Sequence, residues 1–417
     1  VELAESVGLP DAPHMLDRFS GELSGGQRQR VGIALALACN TRLLVADEPT
    51  SALDVVTQNR VLEVLRSYTA GQHTPALLFI THDFAVASEL CSAAVVMKDG
   101  RIVEQGPLET IFHTPENVYT QSLIRAAQAA TIRPYQERFA QEAAAGREPR
   151  RPVRDTFYDI RDASRSYPVP RRKNFTRPQQ KAALLPTSLT LRAGERVGIV
   201  GVSGSGKTTL LRLMLALEPT DTGMVTCESR GVHPAGVRQL KWYRRKVQYV
   251  PQDPASTLHP LMPVGKLMRE PLRRLDVPGD HEEMIREALQ AVSLDHTFLD
   301  RRVSEMSGGQ AQRIALARAI AARPEFLLAD EPVSGLDLPM REQVIALLQR
   351  ISDERGTGLA VVSHDLSMIA SLCDRTIVMY AGEVVEDRPT RDVLTRPEHP
   401  RTRALLQAIP TLQLAAA

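Results

Sequence analysis

Leu23-Ser24-Gly25-Gly26-Gln27 returns as Met306-Ser307-Gly308-Gly309-Gln310, and each copy opens the same train of motifs. The first is followed by Asp47-Glu48-Pro49, by Ser51-Ala52-Leu53-Asp54 and by an apolar run closing at His82. The second is followed by Asp330-Glu331-Pro332, Ser334-Gly335-Leu336-Asp337 and His364. The copies lie 283 residues apart at Ser24/Ser307 and Asp54/Asp337 and 282 apart at His82/His364, so one residue was gained or lost between those points. Such a period far exceeds the roughly 20–50 residues of solenoid and propeller repeats. Each copy is therefore a whole domain rather than a short repeat.

The copies are not equally complete. Gly201-Val202-Ser203-Gly204-Ser205-Gly206-Lys207-Thr208 fits the phosphate-binding pattern G-x-x-x-x-G-K-[ST], about a hundred residues ahead of the second pentapeptide. The same interval ahead of the first pentapeptide falls about eighty residues before Val1, so the first domain is expected to be a fragment whose phosphate loop lies outside this chain. The expected divisions are residues 1–130 for this first domain, 131–153 for a linker rich in Ala, Gln, Glu, Arg and Pro, and 154–417 for the complete second domain.

Apolar, β-rich runs at 195–200, 247–250, 326–329, 359–363 and 376–380 alternate with helical patterns. The alternation predicts an α/β domain with a largely parallel sheet buried on both faces, and the phosphate-binding pattern at 201–208 makes it one of P-loop NTPase type. The helical stretch at 282–292 predicts a small helical subdomain ahead of the second pentapeptide. Lys and Arg number 51 against 49 acidic residues, a balance that gives no global case for nucleic-acid binding. No run approaches eighteen apolar residues, so no membrane-spanning helix is predicted. Residues 147–181 hold eleven Lys or Arg against four Asp or Glu, either a solvated connector or a contact for anionic lipid headgroups or an acidic partner. Cys39, Cys91, Cys227 and Cys373 form no C-x-x-C pair, and Cys91 and Cys373, at equivalent positions beside apolar strands, are expected to be buried structural thiols.

The phosphate loop supplies the chemistry. Gly201, Gly204 and Gly206 let successive N–H groups converge on phosphate oxygens at a helix N-terminus, joined by Ser203, Ser205 and Thr209. Lys207 adds a point charge, and the Thr208 hydroxyl suits a Mg²⁺ ligand. The plain alternative is a Gly/Ser loop between strand and helix. Residues 196–200 read as the preceding strand and 209–214 as the following helix, which is the context the motif demands. Asp330 closes an apolar strand where a metal should sit, and Glu331 is placed to orient or deprotonate an attacking water. A lone histidine is more often a satisfied surface or core residue, but His364 at a strand end is matched by His82 in the other copy.

With Gln252 after its strand, this ensemble resembles the nucleotide-binding domain of the ABC ATPases over nearly the whole chain. The resemblance implies ATP and Mg²⁺ as ligands, with Thr208, Gln252 and Asp330 at the metal and Gln252 sensing the γ-phosphate. It implies that Ser307, Gly308, Gly309 and Gln310 form one signature loop and Ser24, Gly25, Gly26 and Gln27 the other. Asp54 and Asp337 become D-loop aspartates, and Glu331 and His364 the catalytic glutamate and switch histidine. An aromatic upstream of the loop would stack on adenine, with Tyr167 the better fit and Phe175 the second. Such domains work as head-to-tail pairs, so the resemblance implies an intramolecular pseudo-dimer in which Ser24, Gly25, Gly26 and Asp54 complete the site built on Lys207. The reciprocal site, with Asp47, Glu48 and His82, would be degenerate. Met306 in place of Leu is a volume-conserving departure.

The segments 106–123 and 397–406 resemble the C-terminal extension of oligopeptide, dipeptide and nickel importer ATPases, as does the stretch 250–272. That branch implies two integral membrane permease subunits, an extracytoplasmic substrate-binding protein, and a cytoplasmic place on the inner face of the membrane. No nucleic acid is expected. Two other classes compete. A twin-cassette ATPase acting on the ribosome would join its domains by a long charged helix and lack these tails. The other is a non-transporting nucleotide-gated scaffold with weak turnover, or an inactive fragment, and intact Lys207, Asp330 and Glu331 speak against a dead second site.

Overall fold

The computed structural model describes the chain except residues 10–14, 16–18, 51–52, 71–73, 82, 130, 145–154, 169–179, 254–256, 335, 337 and 410–417. Phe175, His82 and Asp337, with part of the expected linker, lie outside the described residues. The chain divides into two units, residues 1–134 with 337–339 and 404–417, and residues 135–336 with 340–403. A helix spans Arg133–Ala144, within the stretch read as a linker.

In the second unit the apolar runs assemble into a six-stranded sheet. Its strands are β7 (Arg196–Val200), β10 (Val247–Val250), β11 (Phe326–Asp330), β12 (Gly358–Val362), β13 (Arg375–Tyr380) and β14 (Glu383–Pro389), in the order β10-β11-β12-β7-β13-β14. All pairings are parallel except the β13–β14 hairpin. Phe326, Leu327, Leu328 and Ala329 are all 0 % exposed, the two-sided burial that a near-continuous apolar strand requires. Each such leucine contributes roughly 1.5–3 kcal/mol by leaving water.

A second, antiparallel sheet, which the alternation did not predict, joins β5 (Thr156–Pro168), β6 (Gln180–Arg192), β8 (Thr222–Cys227) and β9 (Arg230–Gly231) in the order β6-β5-β8-β9. Its aromatic face closes the core, where the Phe157 ring stacks on Phe326 with centroids 5.0 Å apart. The buried hydroxyls of Tyr158 and Tyr243 meet at 2.5 Å, and Tyr243 also reaches the Met214 carbonyl. As expected, helices at Val264–Arg274 and His281–Ala291 pack with the helix that follows the second pentapeptide.

The first unit builds less. Strands β1 (Leu43–Asp47) and β2 (Ala76–Ile80) pair in parallel, and β3 (Ala93–Lys98) pairs with β4 (Arg101–Pro107) in an antiparallel hairpin. These are separate two-stranded sheets among the described residues. One face packs on Val7, Leu9, Leu37, Val61 and Leu65, while Leu43, Val45, Leu78 and Ile80 are each about half exposed or more. The expectation for the cysteines is corrected here. Cys373 is buried beside the six-stranded sheet, but Cys91 is only half-buried, beside strands that among the described residues form separate two-stranded sheets.

Candidate functional site

Four adjacent parallel strands put their C-terminal ends side by side in the second unit. Gln252 lies beyond β10, Asp330 and Glu331 close β11, Ser363 and His364 follow β12, and residues 201–208 follow β7. Strand ends are where an open α/β sheet presents its ligand groups, because the loops there are free of strand pairing.

The loop is shaped by its glycines. Gly201 has φ 153° and a Cβ there would come within 2.2 Å of the Met379 carbonyl oxygen; Gly206 has φ 103° and would meet the Ala183 oxygen at 2.6 Å. No side chain fits at either place. Lys207 opens the helix α1 (Lys207–Met214), and its ammonium donates to the carbonyls of Gly201 at 2.7 Å and Val202 at 3.0 Å. It also reaches Ser205 Oγ at 3.4 Å. The loop thus closes around its own cation. Ser205 and Thr209 are buried beneath it, whereas Ser203, Gly204 and Thr208 are exposed at its mouth.

Asp330 is 3 % exposed, and its carboxyl is pushed up to about 6 by burial and by the charge of Glu331, against the pull of Lys207 and Arg212. A carboxylate so placed favours a nearby cation. Glu331 has φ 49°, a strained left-handed conformation for a non-glycine residue, fixed by its N–H donating to the Val362 carbonyl at 2.8 Å. Its carboxylate accepts from the His364 backbone N–H at 3.0 Å and lies 2.8 Å from His364 Nδ1. Ser363 Oγ donates to the other oxygen at 3.3 Å, a contact that the sequence reading did not single out. Burial works to lower the His364 pKa, but the adjacent Glu331 carboxylate outweighs it and the net shift is upward. Thr208, Gln252 and Asp330 make a hard oxygen set with a single carboxylate, which suits Mg²⁺, a cation that also takes phosphate oxygens and waters.

Tyr167, near the end of β5, pairs across to Lys181 of β6, two residues from the Ala183 that abuts Gly206. Its hydroxyl donates to Glu218 and the Arg165 guanidinium lies 5.3 Å from its ring centroid.

The pentapeptides are helix starts. Ser307 caps Gly308–Ala321, with Gln310 N–H donating to its Oγ at 3.3 Å and its own N–H donating to Gln310 Oε1 at 3.1 Å. Ser24 and Gln27 repeat the box at 3.3 and 2.9 Å ahead of Gly25–Ala38. The serine and glutamine three positions apart in each motif are a reciprocal capping box, and the exposed first glycines, Gly25 and Gly308, leave that N-terminus uncovered. Gly309 approaches Leu336, and Gly26 lies within the first turn. Asp54 caps the helix Val55–Thr69, accepting from Thr57 N–H at 3.0 Å. In the first unit, Asp47 and Glu48 are exposed at the end of β1, and Glu48 repeats the left-handed turn at φ 42°.

Fold and site together define a P-loop ATPase. A family model for the ABC transporter matches residues 2–51 and 184–334, and one for the oligopeptide/dipeptide transporter C-terminal region matches 103–151 and 385–417. The glutathione import ATP-binding protein GsiA of Pectobacterium atrosepticum is 36 % identical over 98 % of this chain and 68 % of its own length. GsiA of Escherichia coli K12 is 35 % identical over 99 % of the chain and 68 % of its own length. The dimeric post-hydrolysis structure of the ATP-binding cassette MJ0796, bound to ADP and Pi, is 28 % identical with a TM-score of 0.51, covering 56 % of this chain and 99 % of that one. The chain belongs to the ABC transporter family, as an ATP-hydrolysing, ATP-binding importer subunit of the peptide/nickel branch.

Proposed function

We propose that this subunit powers uptake of a small peptide-like solute, glutathione or a di- or oligopeptide, with nickel the remaining cargo of its branch. The reading is supported by the importers named glutathione import ATP-binding proteins and by the oligopeptide-type extension that recurs in both units. Its partners would be two membrane permease subunits and an extracytoplasmic binding protein, with the chain peripheral on the inner face. Among the described residues no helix is long and apolar enough to cross a membrane.

The carrying observation is the row of strand ends. The loop N–H groups and Lys207 would hold the phosphates, and Tyr167 the adenine. Glu331, gripped by His364 and Ser363, would orient the attacking water and take its proton at the carboxylate. Mg²⁺, when bound at Thr208, Gln252 and Asp330, supplies charge for the phosphate oxygens. Asp337 keeps its proposed D-loop role from the repeat, and His82, the counterpart of His364, belongs to the degenerate site.

For the second face of the nucleotide we propose the signature groups Ser24, Gly25, Gly26 and Gln27 with Asp54; Ser307, Gly308, Gly309 and Gln310 would face the degenerate Asp47, Glu48 and His82. A helix N-terminus with a serine cap suits a γ-phosphate. Steady-state ATPase assays on the full chain test the pairing. Ser24→Arg should cut turnover about tenfold or more while Ser307→Arg leaves it within about twofold. The reverse ranking would overturn the pairing.

A further inference from the structure

We propose that Glu218 is a positioning residue for the adenine end of the site, holding the Tyr167 ring in the attitude that receives the base. The inference rests on the reading of Tyr167 as the stacking aromatic. Glu218 follows α1, after a reversal at Ala216 (φ 52°) in which the Leu217 N–H returns to the Arg212 carbonyl at 2.9 Å. The turn aims its carboxylate at three donors. Oε2 accepts the Tyr167 hydroxyl at 2.5 Å and Arg165 Nε at 3.3 Å, and Oε1 accepts Arg212 Nη1 at 3.1 Å.

The network links Tyr167 to the helix that opens at Lys207. Arg212 lies on the helix that begins with Lys207, so the same carboxylate that fixes the tyrosine is braced against the phosphate-binding helix. Arg165 sits 5.3 Å from the Tyr167 ring centroid and continues to Asp221 at 2.9 Å, while the Ser166 N–H donates to the other Asp221 oxygen at 2.6 Å. Strand end, ring and helix are thereby tied at one point. Tyr167 remains partly exposed, which a tyrosine serving only the core would not be. Three donors outweigh burial and hold the Glu218 carboxyl below its ordinary range, so it remains an acceptor at neutral pH. Fixing a ring before the base arrives removes an ordering cost from binding.

Calorimetry with MgATP and with magnesium tripolyphosphate, which lacks the base, tests this on the full chain. Tyr167→Phe removes one oxygen and keeps the ring; ATP affinity should fall about fivefold and tripolyphosphate affinity should not change. Glu218→Ala should match it, with Glu218→Gln between that variant and wild type. Tyr167→Ala should lose about tenfold for ATP alone. If Tyr167→Ala binds ATP normally, the adenine role of Tyr167 fails and the inference goes with it. If only Tyr167→Ala weakens ATP, the adenine role stands and the Glu218 inference is overturned. Equal losses for ATP and tripolyphosphate in Glu218→Ala and Tyr167→Phe would also overturn it, by showing that the network serves the phosphate loop.

Discussion

Phe326-Leu327-Leu328-Ala329-Asp330 and Leu43-Leu44-Val45-Ala46-Asp47 occupy the same place in the two copies and read almost alike. The first is buried at every position, whereas Leu43 is 53 % and Val45 56 % exposed. Neighbours account for the difference. In the second unit β7 pairs with both β12 and β13, making one sheet that the aromatic face of the antiparallel sheet covers. Among the described residues of the first unit, no strand joins β2 to β3. Burial of a strand, and with it the electrostatics of the acid that ends it, belongs to the assembly around the strand. Asp330 is driven up to about 6 in a buried site; Asp47 ends its strand in solvent.

The comparison can be broken most sharply at the paired glutamates. Glu331→Gln should lower ATP turnover by about 10²-fold or more, because it removes the base. Glu48→Gln should leave turnover within about twofold, and comparable losses in single-turnover assays would mean that the two strand ends are functionally alike.

A smaller contrast is expected in stability. Phe326→Ala should cost about 3–5 kcal/mol, through lost burial and the cavity beside Phe157. Leu43→Ala, at the equivalent exposed position, should stay within about 0.5 kcal/mol. Urea unfolding followed separately for each unit checks this, and equal costs would show that the first sheet is covered in solution.

The smallest effect probes a feature that the units share. Glu386 accepts the Glu398 and His399 N–H groups, each at 3.2 Å, and Glu104 accepts those of Glu116 and Asn117 at 2.8 and 3.2 Å. Burial tends to raise Glu386, but Thr402 and these N–H groups overcome it; Thr120 leads the lowering of Glu104. For a carboxyl lowered by folding, the stabilisation is full above the ordinary value of 4.5 and disappears as pH falls through the folded value. Amide exchange at 398–399 should therefore quicken as pH is lowered below about 4.5, after correction for the intrinsic rate, while Glu386→Gln removes that dependence. An unchanged pH profile in the variant would remove the clamp from the account.

Much of the site was legible because its chemistry is written in contiguous residues. The phosphate loop, the Asp-Glu pairs and the pentapeptides each carry their own local geometry, and the structure places Lys207, Asp330, Glu331 and His364 at neighbouring strand ends. The antiparallel sheet was not legible. Its strands mix exposed and buried positions and pair across an intervening segment, so no short period announces them. Glu218 was hidden for the same reason, since its partners lie 51, 53 and 6 residues away in sequence. Ser363 gave no signal apart from its position before His364.

By itself, the sequence determined the duplication, the nucleotide chemistry and the elements that carry it, because periodicity, glycine placement and capping act over a few residues. Only the tertiary structure decided which of two nearly identical strands is buried, which acid titrates upward and which carboxylate grips Tyr167. Those outcomes depend on exclusion of water and on charges brought together from distant parts of the chain, and neither exists until the layers have packed.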